Sequence, residues 1–157
     1  KIVDPDECGI GELAVKGPTV MLGYYGNEEA TKECMIDGWF HTGDLAYMDD
    51  EGFIYIMGRL DNMIIKAGLN VYPEEIELQI QESNLVKDAL AYAKNDSEEI
   101  IICLDYVGNI PPNDLRKKLA GIINPNIMPT KIYQVDKILT TPSGKKIRNG
   151  KWNNLYN

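Results

Sequence analysis

The most informative segment of this 157-residue chain is the run Pro73-Glu74-Glu75-Ile76-Glu77-Leu78-Gln79-Ile80-Gln81-Glu82-Ser83. Pro73 suits the first position of a helix, where a missing N–H costs nothing, and the acidic residues behind it favour the positive end of the helix dipole. Ile76, Leu78 and Ile80 supply apolar side chains for a packed face. The segment therefore predicts an amphipathic helix that begins at Pro73.

The residues on either side of this helix predict strands. Residues 62–66 and 69–72 look like a hairpin around Ala67-Gly68. Residues 86–93 and 99–107 are rich in Val, Ile, Ala and Tyr, as strands that reach a core are. The helix is thus expected to lie between two pairs of strands.

Further along the chain, apolar residues at helical spacing predict a second helix over residues 113–123. These apolar residues are Leu115, Leu119, Ile122 and Ile123. One more strand is predicted over residues 131–135, and a final helix after Arg148. From residue 61 onward the sequence predicts a two-layer α+β domain.

The first sixty residues are predicted to be mostly β. Residues 10–16 alternate as a strand does, and residues 44–48 and 53–57 flank an acidic turn at 49–52. A short helix with Asn27 as its N-cap interrupts these strands. The fold class predicted for the whole chain is therefore α+β.

Composition and charge exclude several classes of function. Hydrophobic residues make up 44% of the chain and charged residues 25%, which is typical of soluble proteins. There are 16 Lys and Arg against 24 Asp and Glu, a formal net charge of −8, so no basic surface for nucleic acid is expected. No apolar stretch is long enough to span a membrane. The start lacks both a signal peptide and an initiator Met, which suggests a piece of a longer chain.

The cysteine and histidine content argues against metal and disulfide chemistry. Cys8, Cys34 and Cys103 are an odd number, far apart and without a Cys-x-x-Cys pair, and His41 is the single histidine. This pattern predicts neither a disulfide framework nor a metal site, and it favours a reducing, cytoplasmic location.

Four motifs carry the information about function, and they follow one another in a fixed order. They are Gly38-Trp-Phe-His-Thr-Gly43-Asp44, Gly58-Arg59-Leu-Asp61-Asn-Met-Ile-Ile-Lys-Ala-Gly68, Asn70-Val-Tyr-Pro-Glu-Glu75-Ile-Glu77 and Pro142-Ser-Gly144-Lys145-Lys-Ile-Arg148. Each motif alone is compatible with an ordinary turn, helix start or basic loop.

Together, the motifs closely resemble those of the adenylate-forming superfamily: acyl- and aryl-CoA synthetases, amino-acid adenylation domains and beetle luciferases. Residues 1–60 resemble the C-terminal β-rich part of that family's large N-terminal adenylation domain. Residues 61–157 resemble its small, mobile C-terminal lid domain, with Asp61 at the position of the hinge. The third motif favours acyl- or aryl-CoA ligases over peptide-synthetase domains.

The resemblance implies an enzyme that activates a carboxylate with ATP as acyl-AMP and then transfers the acyl group to CoA. Lys145 matches the lysine of the adenylation step, Asp44 the ribose-binding aspartate, and Arg59 an arginine that assists at the nucleotide. Gly68 matches a glycine that lines the approach of the thiol. The implied Mg²⁺ would be bound mainly by family segments that precede this sequence.

The chain also departs from the family pattern. Many members have Lys at the position of Ile65, whereas here Lys66 is shifted by one residue, which weakens any role for a lysine in the second step. His41 lies at a variable position and is given no catalytic role. The family's phosphate loop, adenine pocket and acid pocket are not in this sequence, so residues 1–157 alone are expected to be inactive.

Two other interpretations remain open from the sequence. One is an enzyme that loads an amino or hydroxy acid onto a carrier protein, which a dependence on the carrier would reveal. The other is a non-catalytic nucleotide-binding or docking module derived from such an enzyme. The sequence names neither the acid nor the oligomeric state.

Overall fold

The computed structural model describes residues 1–96 and 99–148, and the chain divides into two compact units that meet in sequence between Asp61 and Asn62. Both units contain strands and helices, so the predicted α+β fold class is confirmed. The final helix predicted after Arg148 lies outside the described residues. No helix in the described part of the chain is long and apolar enough to cross a membrane.

The first unit is an antiparallel sheet with one short helix. Its elements are β1 (Ile2–Val3), β2 (Gly11–Val15), α1 (Glu28–Cys34), β3 (Met35–Ile36), β4 (Trp39–Met48) and β5 (Ile54–Arg59). The strands pair in the order β1-β2-β4-β3, and β5 pairs with β4 along its other half. This sheet positions the first motif on β4 and the start of the second motif, Gly58 and Arg59, on β5. The rest of the second motif continues through a short turn into the second unit.

Local predictions for this unit hold in part. The Asn27 side chain accepts a hydrogen bond from the Ala30 N–H at 3.0 Å, which confirms the N-cap of α1. The acidic turn is closed by Asp49, whose carboxylate accepts from the N–H groups of Glu51 and Phe53. The strand predicted at 44–48 is longer than expected, because β4 begins at Trp39. Thr42, Gly43 and Asp44 therefore lie within a strand.

The second unit has two layers. Its elements are the hairpin β6 (Ile64–Lys66) and β7 (Leu69–Val71), then α2 (Pro73–Glu82), β8 (Asp88–Asp96), β9 (Glu99–Val107), α3 (Pro112–Leu119) and β10 (Lys131–Gln134). The main sheet has the order β10-β9-β8, antiparallel between β8 and β9 and parallel between β9 and β10. The predicted hairpin, helix and strand pair are all present.

The core of this unit lies between the sheet and the two helices. Ile76 and Ile80 of α2 and Leu115 and Leu119 of α3 pack with the inward side chains of β8 and β9. Leu90, Tyr92 and Cys103 point to the other face, where Ile138, Leu139 and Ile147 cover them. The segment around residues 138–147 is thus tied to the sheet by apolar packing.

Two details of the helix predictions are wrong. Leu78 was predicted on the packed face of α2 but is 56% exposed, while Glu77 is buried in its place. The second helix ends at Leu119 and not at residue 123, since Gly121 is a poor helix former and Asn124 precedes a proline. Ile123 still reaches the core, but Ile122 is exposed.

Candidate functional site

An ion pair between Asp44 and Arg59 is the centre of the polar site in the first unit. The two residues lie directly opposite each other on β4 and β5. Arg59 Nη1 donates to Asp44 Oδ1 at 2.9 Å and to the Thr42 carbonyl at 2.7 Å. The hydrogen bond to Asp44 is the main cause of a raised pKa for Arg59. Both side chains are partly exposed, so the pair is open to a ligand.

The carboxylate of Asp44 keeps hydrogen-bonding capacity. Among the described residues, only its Oδ1 atom has a side-chain partner. Its backbone N–H donates to Thr42 Oγ1 at 3.0 Å, and that hydroxyl donates to the Leu13 carbonyl at 2.9 Å. The backbone of Asp44 is thus held by Thr42, while its Oδ2 can accept hydrogen bonds from hydroxyl groups.

Gly43 lets Arg59 approach the backbone of β4. Its φ is +70°, and an added Cβ would lie 2.8 Å from Arg59 Nη2. Gly43 N–H donates to Glu12 Oε1 at 3.0 Å, and Glu12 Oε2 lies 2.7 Å from His41 Nδ1. Sequence reasoning missed Glu12, because an acid in an alternating strand gives no signal of its partner. His41, which was given no catalytic role, lies in this supporting pair.

Asp61 is the last residue of the first unit, within a short 3₁₀ turn over Leu60–Asn62. Its side chain is 83% exposed, and its Oδ2 lies 3.6 Å from Arg59 Nη2. The structure therefore brings Asp44, Arg59 and Asp61 into one cluster. Gly68 and Lys145 lie on two separate loops of the second unit.

Gly68 lies at the tip of the β6–β7 hairpin. Ala67 and Gly68 both have positive φ, +50° and +78°, which is the backbone of a two-residue type I′ turn. An added Cβ on Gly68 would meet nothing within 4 Å. The tip is thus exposed, and within this unit only its backbone conformation constrains the residue.

The fourth motif forms a tight turn that presents Lys145. Thr141 N–H donates to the Lys145 carbonyl at 2.8 Å, and Thr141 Oγ1 accepts from Lys145 N–H at 3.1 Å. Gly144 adopts a φ of +83°, which favours glycine. The Lys145 side chain is exposed, and its ammonium forms no ion pair with any described residue.

The two cations that follow Lys145 are held by carboxylates. Lys146 Nζ lies 2.6 Å from Asp88 Oδ1 and 3.7 Å from Glu77 Oε2. Arg148 pairs with Glu77 through both of its terminal nitrogens and lies 3.1 Å from Glu74 Oε1. Of the three cations, Lys145 alone has its charge available in the described structure.

No group of three or more His, Cys, Asp or Glu side chains within residues 1–96 and 99–148 could hold a metal ion. The chemical groups available are thus a carboxylate and a guanidinium in the first unit and, in the second, an ammonium with no ion pair to any described residue.

Comparisons with known proteins agree with the motifs. The chain is 36% identical over 143 residues to a 2-succinylbenzoate–CoA ligase of Listeria monocytogenes, which covers 88% of this chain and 30% of that protein. It is 47% identical over 96 residues to a long-chain-fatty-acid–CoA ligase of Salmonella typhimurium, covering 58% of this chain and 17% of that one. No protein-family model matches the chain.

The fold gives the same result. The structure of O-succinylbenzoate coenzyme A synthetase from Bacillus subtilis, solved with ATP and magnesium ion, matches with a TM-score of 0.85 and 30% identity. The match covers 96% of this chain and 31% of that one. The chain thus spans less than a third of the length of these relatives. The resemblance that the four motifs indicated is confirmed.

Proposed function

The chain matches the C-terminal portion of the adenylate-forming superfamily, and we propose that the intact protein is an ATP-dependent acid–thiol ligase that uses CoA. In the first step, a carboxylate oxygen of the acid attacks the α-phosphorus of ATP, and pyrophosphate leaves. In the second step, the thiol of CoA attacks the acyl carbon and loses its proton, and AMP leaves. The observation that carries this proposal is the similarity, in sequence and in fold, to enzymes named as CoA ligases.

Asp44 is proposed to bind the ribose of the nucleotide. Its free Oδ2 and its partly exposed position favour hydrogen bonds from the two ribose hydroxyls, each worth about 1.5–3 kcal/mol for a charged acceptor. Arg59 holds the other carboxylate oxygen and is proposed to assist at the nucleotide. Its remaining donors suit anionic oxygens.

Lys145 is proposed to be the catalytic lysine of the adenylation step. An ammonium on a long stem can reach oxygens of both the carboxylate and the α-phosphate while negative charge develops on them. The exposure of Lys145 and the engagement of Lys146 and Arg148 elsewhere support this assignment over its two neighbours.

Gly68 and Asp61 are proposed to serve the second step. Gly68, at an exposed hairpin tip, would line the approach of the CoA thiol, where a side chain would narrow the passage. Asp61, the last residue of the first unit, would be the hinge about which the small domain rotates between steps. Such a rotation would present Lys145 first and the hairpin second.

The proposal is tested by ATP–pyrophosphate exchange with the intact natural protein and a panel of carboxylic acids, followed by assay of the acyl-CoA product. Exchange with one class of acid and product formation with CoA are expected. If the protein shows exchange and transfers the acyl group to a carrier protein but not to CoA, the acceptor is the carrier protein. A folded protein that binds ATP and shows no exchange with any acid would contradict the ligase and favour the docking module. Residues 1–157 alone should form no acyl-AMP.

A further inference from the structure

Glu77 is the point at which the basic segment after Lys145 is attached to the rest of the second unit. It lies on α2, 71 positions before Arg148 in the sequence, and is only 6% exposed. Its Oε1 accepts from the Ala91 N–H at 2.8 Å and from Arg148 Nη1. Its Oε2 accepts from Arg148 Nη2 at 3.2 Å and lies 3.7 Å from Lys146 Nζ. One carboxylate thus binds both cations that flank Ile147.

Strand β8 completes this attachment. Arg148 Nη1 donates to the Ala91 carbonyl at 3.1 Å, and Lys146 Nζ donates to the Ala89 carbonyl at 2.7 Å. Between them, Ile147 packs on Leu90 and Cys103 through the second apolar cluster. The backbone after Lys145 is therefore held at three successive positions, while the Lys145 side chain is left outside.

The charges in this cluster depend on one another. Burial alone lowers the pKa of Arg148, but its hydrogen bonds and attraction to Glu77, with a smaller contribution from Glu74, more than offset burial and raise the pKa. A cation at this depth needs a carboxylate beside it, because an unpaired buried charge is strongly unfavourable. Removing the charge of Glu77 would therefore leave Arg148 with Glu74 as its carboxylate partner and loosen its attachment, while Lys146 would keep its contact with Asp88.

We propose that Glu77 is a positioning residue for Lys145, acting through Lys146 and Arg148 to fix the loop from which the catalytic ammonium projects. This inference rests on the proposed function of Lys145. Because Glu77 touches neither nucleotide nor acid in this scheme, its effect is confined to the step that needs Lys145. The same attachment makes the Lys145 loop and α2, which follows the Gly68 hairpin, parts of one rigid body.

The first experiment compares Glu77→Gln with Glu82→Gln in the intact protein. Glu82 lies at the end of the same helix, is exposed and has no ion pair among the described residues. Glu77→Gln should lower ATP–pyrophosphate exchange about 10- to 100-fold, the scale for a misplaced reactive group. Transfer from preformed acyl-AMP to CoA should change by less than about threefold, and Glu82→Gln should change neither rate. Equal losses in both steps would show a purely structural role and overturn the proposal.

The second experiment repeats Glu77→Gln in a Lys145→Ala background. If Glu77 acts through Lys145, the second substitution should cause little further loss of exchange, because coupled residues are not additive. A full additional loss would overturn the proposal.

Two milder variants keep the test decisive if Glu77→Gln does not fold. Arg148→Lys keeps the charge but not the paired geometry, and Glu77→Asp keeps the carboxylate on a shorter stem. Both should slow exchange less than Lys145→Ala does and spare the transfer step. A protein without exchange in its unchanged form would contradict the proposed ligase itself. Exchange that is sensitive to Lys145→Ala but not to any Glu77 or Arg148 variant would contradict only the present inference.

Discussion

Lys145 and Lys146 are adjacent and chemically identical, yet their surroundings give them different properties. The Lys146 ammonium is within 2.7 Å of both Asp88 Oδ1 and the Ala89 carbonyl, whereas Lys145 extends from an exposed turn. The difference in availability between the two ammonium groups is therefore set by the acceptors around each of them.

The first prediction concerns Lys145→Ala in the intact protein. Exchange of pyrophosphate should fall by about 10²–10³, since a preorganised charge that meets the transition state is lost. Transfer from preformed acyl-AMP to CoA should fall much less. Lys137→Ala, which removes an exposed lysine ahead of the same loop, is the matched control and should leave both rates unchanged. Similar losses in the two steps would argue against separate conformations for them.

The second prediction concerns Gly68→Leu, which should show the opposite pattern. Transfer to CoA should slow while adenylation is largely kept, because the side chain would narrow the passage of the thiol. The substitution also forces leucine into a positive φ, which costs about 1–2 kcal/mol. Gly52→Leu separates the two effects, since Gly52 has a φ of +86° with nothing within 4 Å of an added Cβ. If the Gly68→Leu protein transfers the acyl group to CoA at the normal rate, Gly68 does not line the passage of the thiol.

At the scale of elements, the buried pair of Asp105 and Tyr92 links β8 and β9 on the face covered by residues 138–147. Tyr92 Oη donates to Asp105 Oδ1 at 3.1 Å. Burial raises the pKa of Asp105 to about 6, although the hydrogen bond from Tyr92 acts in the other direction. Burial, followed by the charge of Asp105, also raises the pKa of Tyr92. In the folded protein this carboxyl therefore keeps its proton up to about pH 6.

The third prediction is that Asp105→Asn stabilises this sheet at pH 7 but not at pH 4. Between about pH 4 and 6 the folded state holds a proton that the unfolded state has released, so stability falls as the pH rises through this window. At pH 7 the free energy of unfolding should be about 2–3 kcal/mol higher for Asp105→Asn than for the unchanged protein, since each unit of pKa corresponds to about 1.4 kcal/mol. Hydrogen exchange of the Leu104 and Tyr106 amides in the intact protein measures this free energy. Asp136→Asn, at an exposed aspartate outside this pair, is the matched control, and a gain from Asp105→Asn that is independent of pH would contradict the assignment.

The elements that were predictable from sequence are those whose signals are local. Proline with acids in the first turn defines the start of α2, and runs rich in Ala, Ile, Val and Tyr indicate β8 and β9. The buried face of α2 was not predictable in full, because the partner that neutralises Glu77 is Arg148, 71 positions away. Leu78 was misplaced for a different reason: it is two positions from both Ile76 and Ile80 and therefore lies on the opposite side of the helix.

The candidate site shows the same division. Asp44, Arg59 and Lys145 could be named because their motifs have fixed spacing, and the structure pairs the first two across adjacent strands. Glu12 could not be found, since its contacts with His41 and the Gly43 N–H depend on the register between β2 and β4. The contacts of supporting acids such as Glu12 and Glu77 can be identified only once the arrangement of the surrounding strands and helices is known.

At the scale of the whole molecule, the chain is two units joined at Asp61 and Asn62. Each unit has its own hydrogen-bonded sheet, and the acidic and basic groups proposed for catalysis are divided between the units. Asp44 and Arg59 belong to the first, and Gly68 and Lys145 to the second. A reaction in two steps can then be served by two arrangements of the same units, provided that the backbone at their junction is free to rotate.

The last prediction tests this freedom at Asp61. Asp61→Pro fixes φ near −65° and removes an N–H, so it should trap the intact protein in one arrangement. One half-reaction should then keep most of its rate while the other, and the overall formation of acyl-CoA, falls by more than about tenfold. Asp61→Asn is the control, because it removes the charge that lies 3.6 Å from Arg59 Nη2 but leaves the backbone free. If Asp61→Asn reproduces the proline effect, the residue acts through its charge on Arg59. If Asp61→Pro lowers both half-reactions equally, or neither, the two steps do not depend on rotation at this residue.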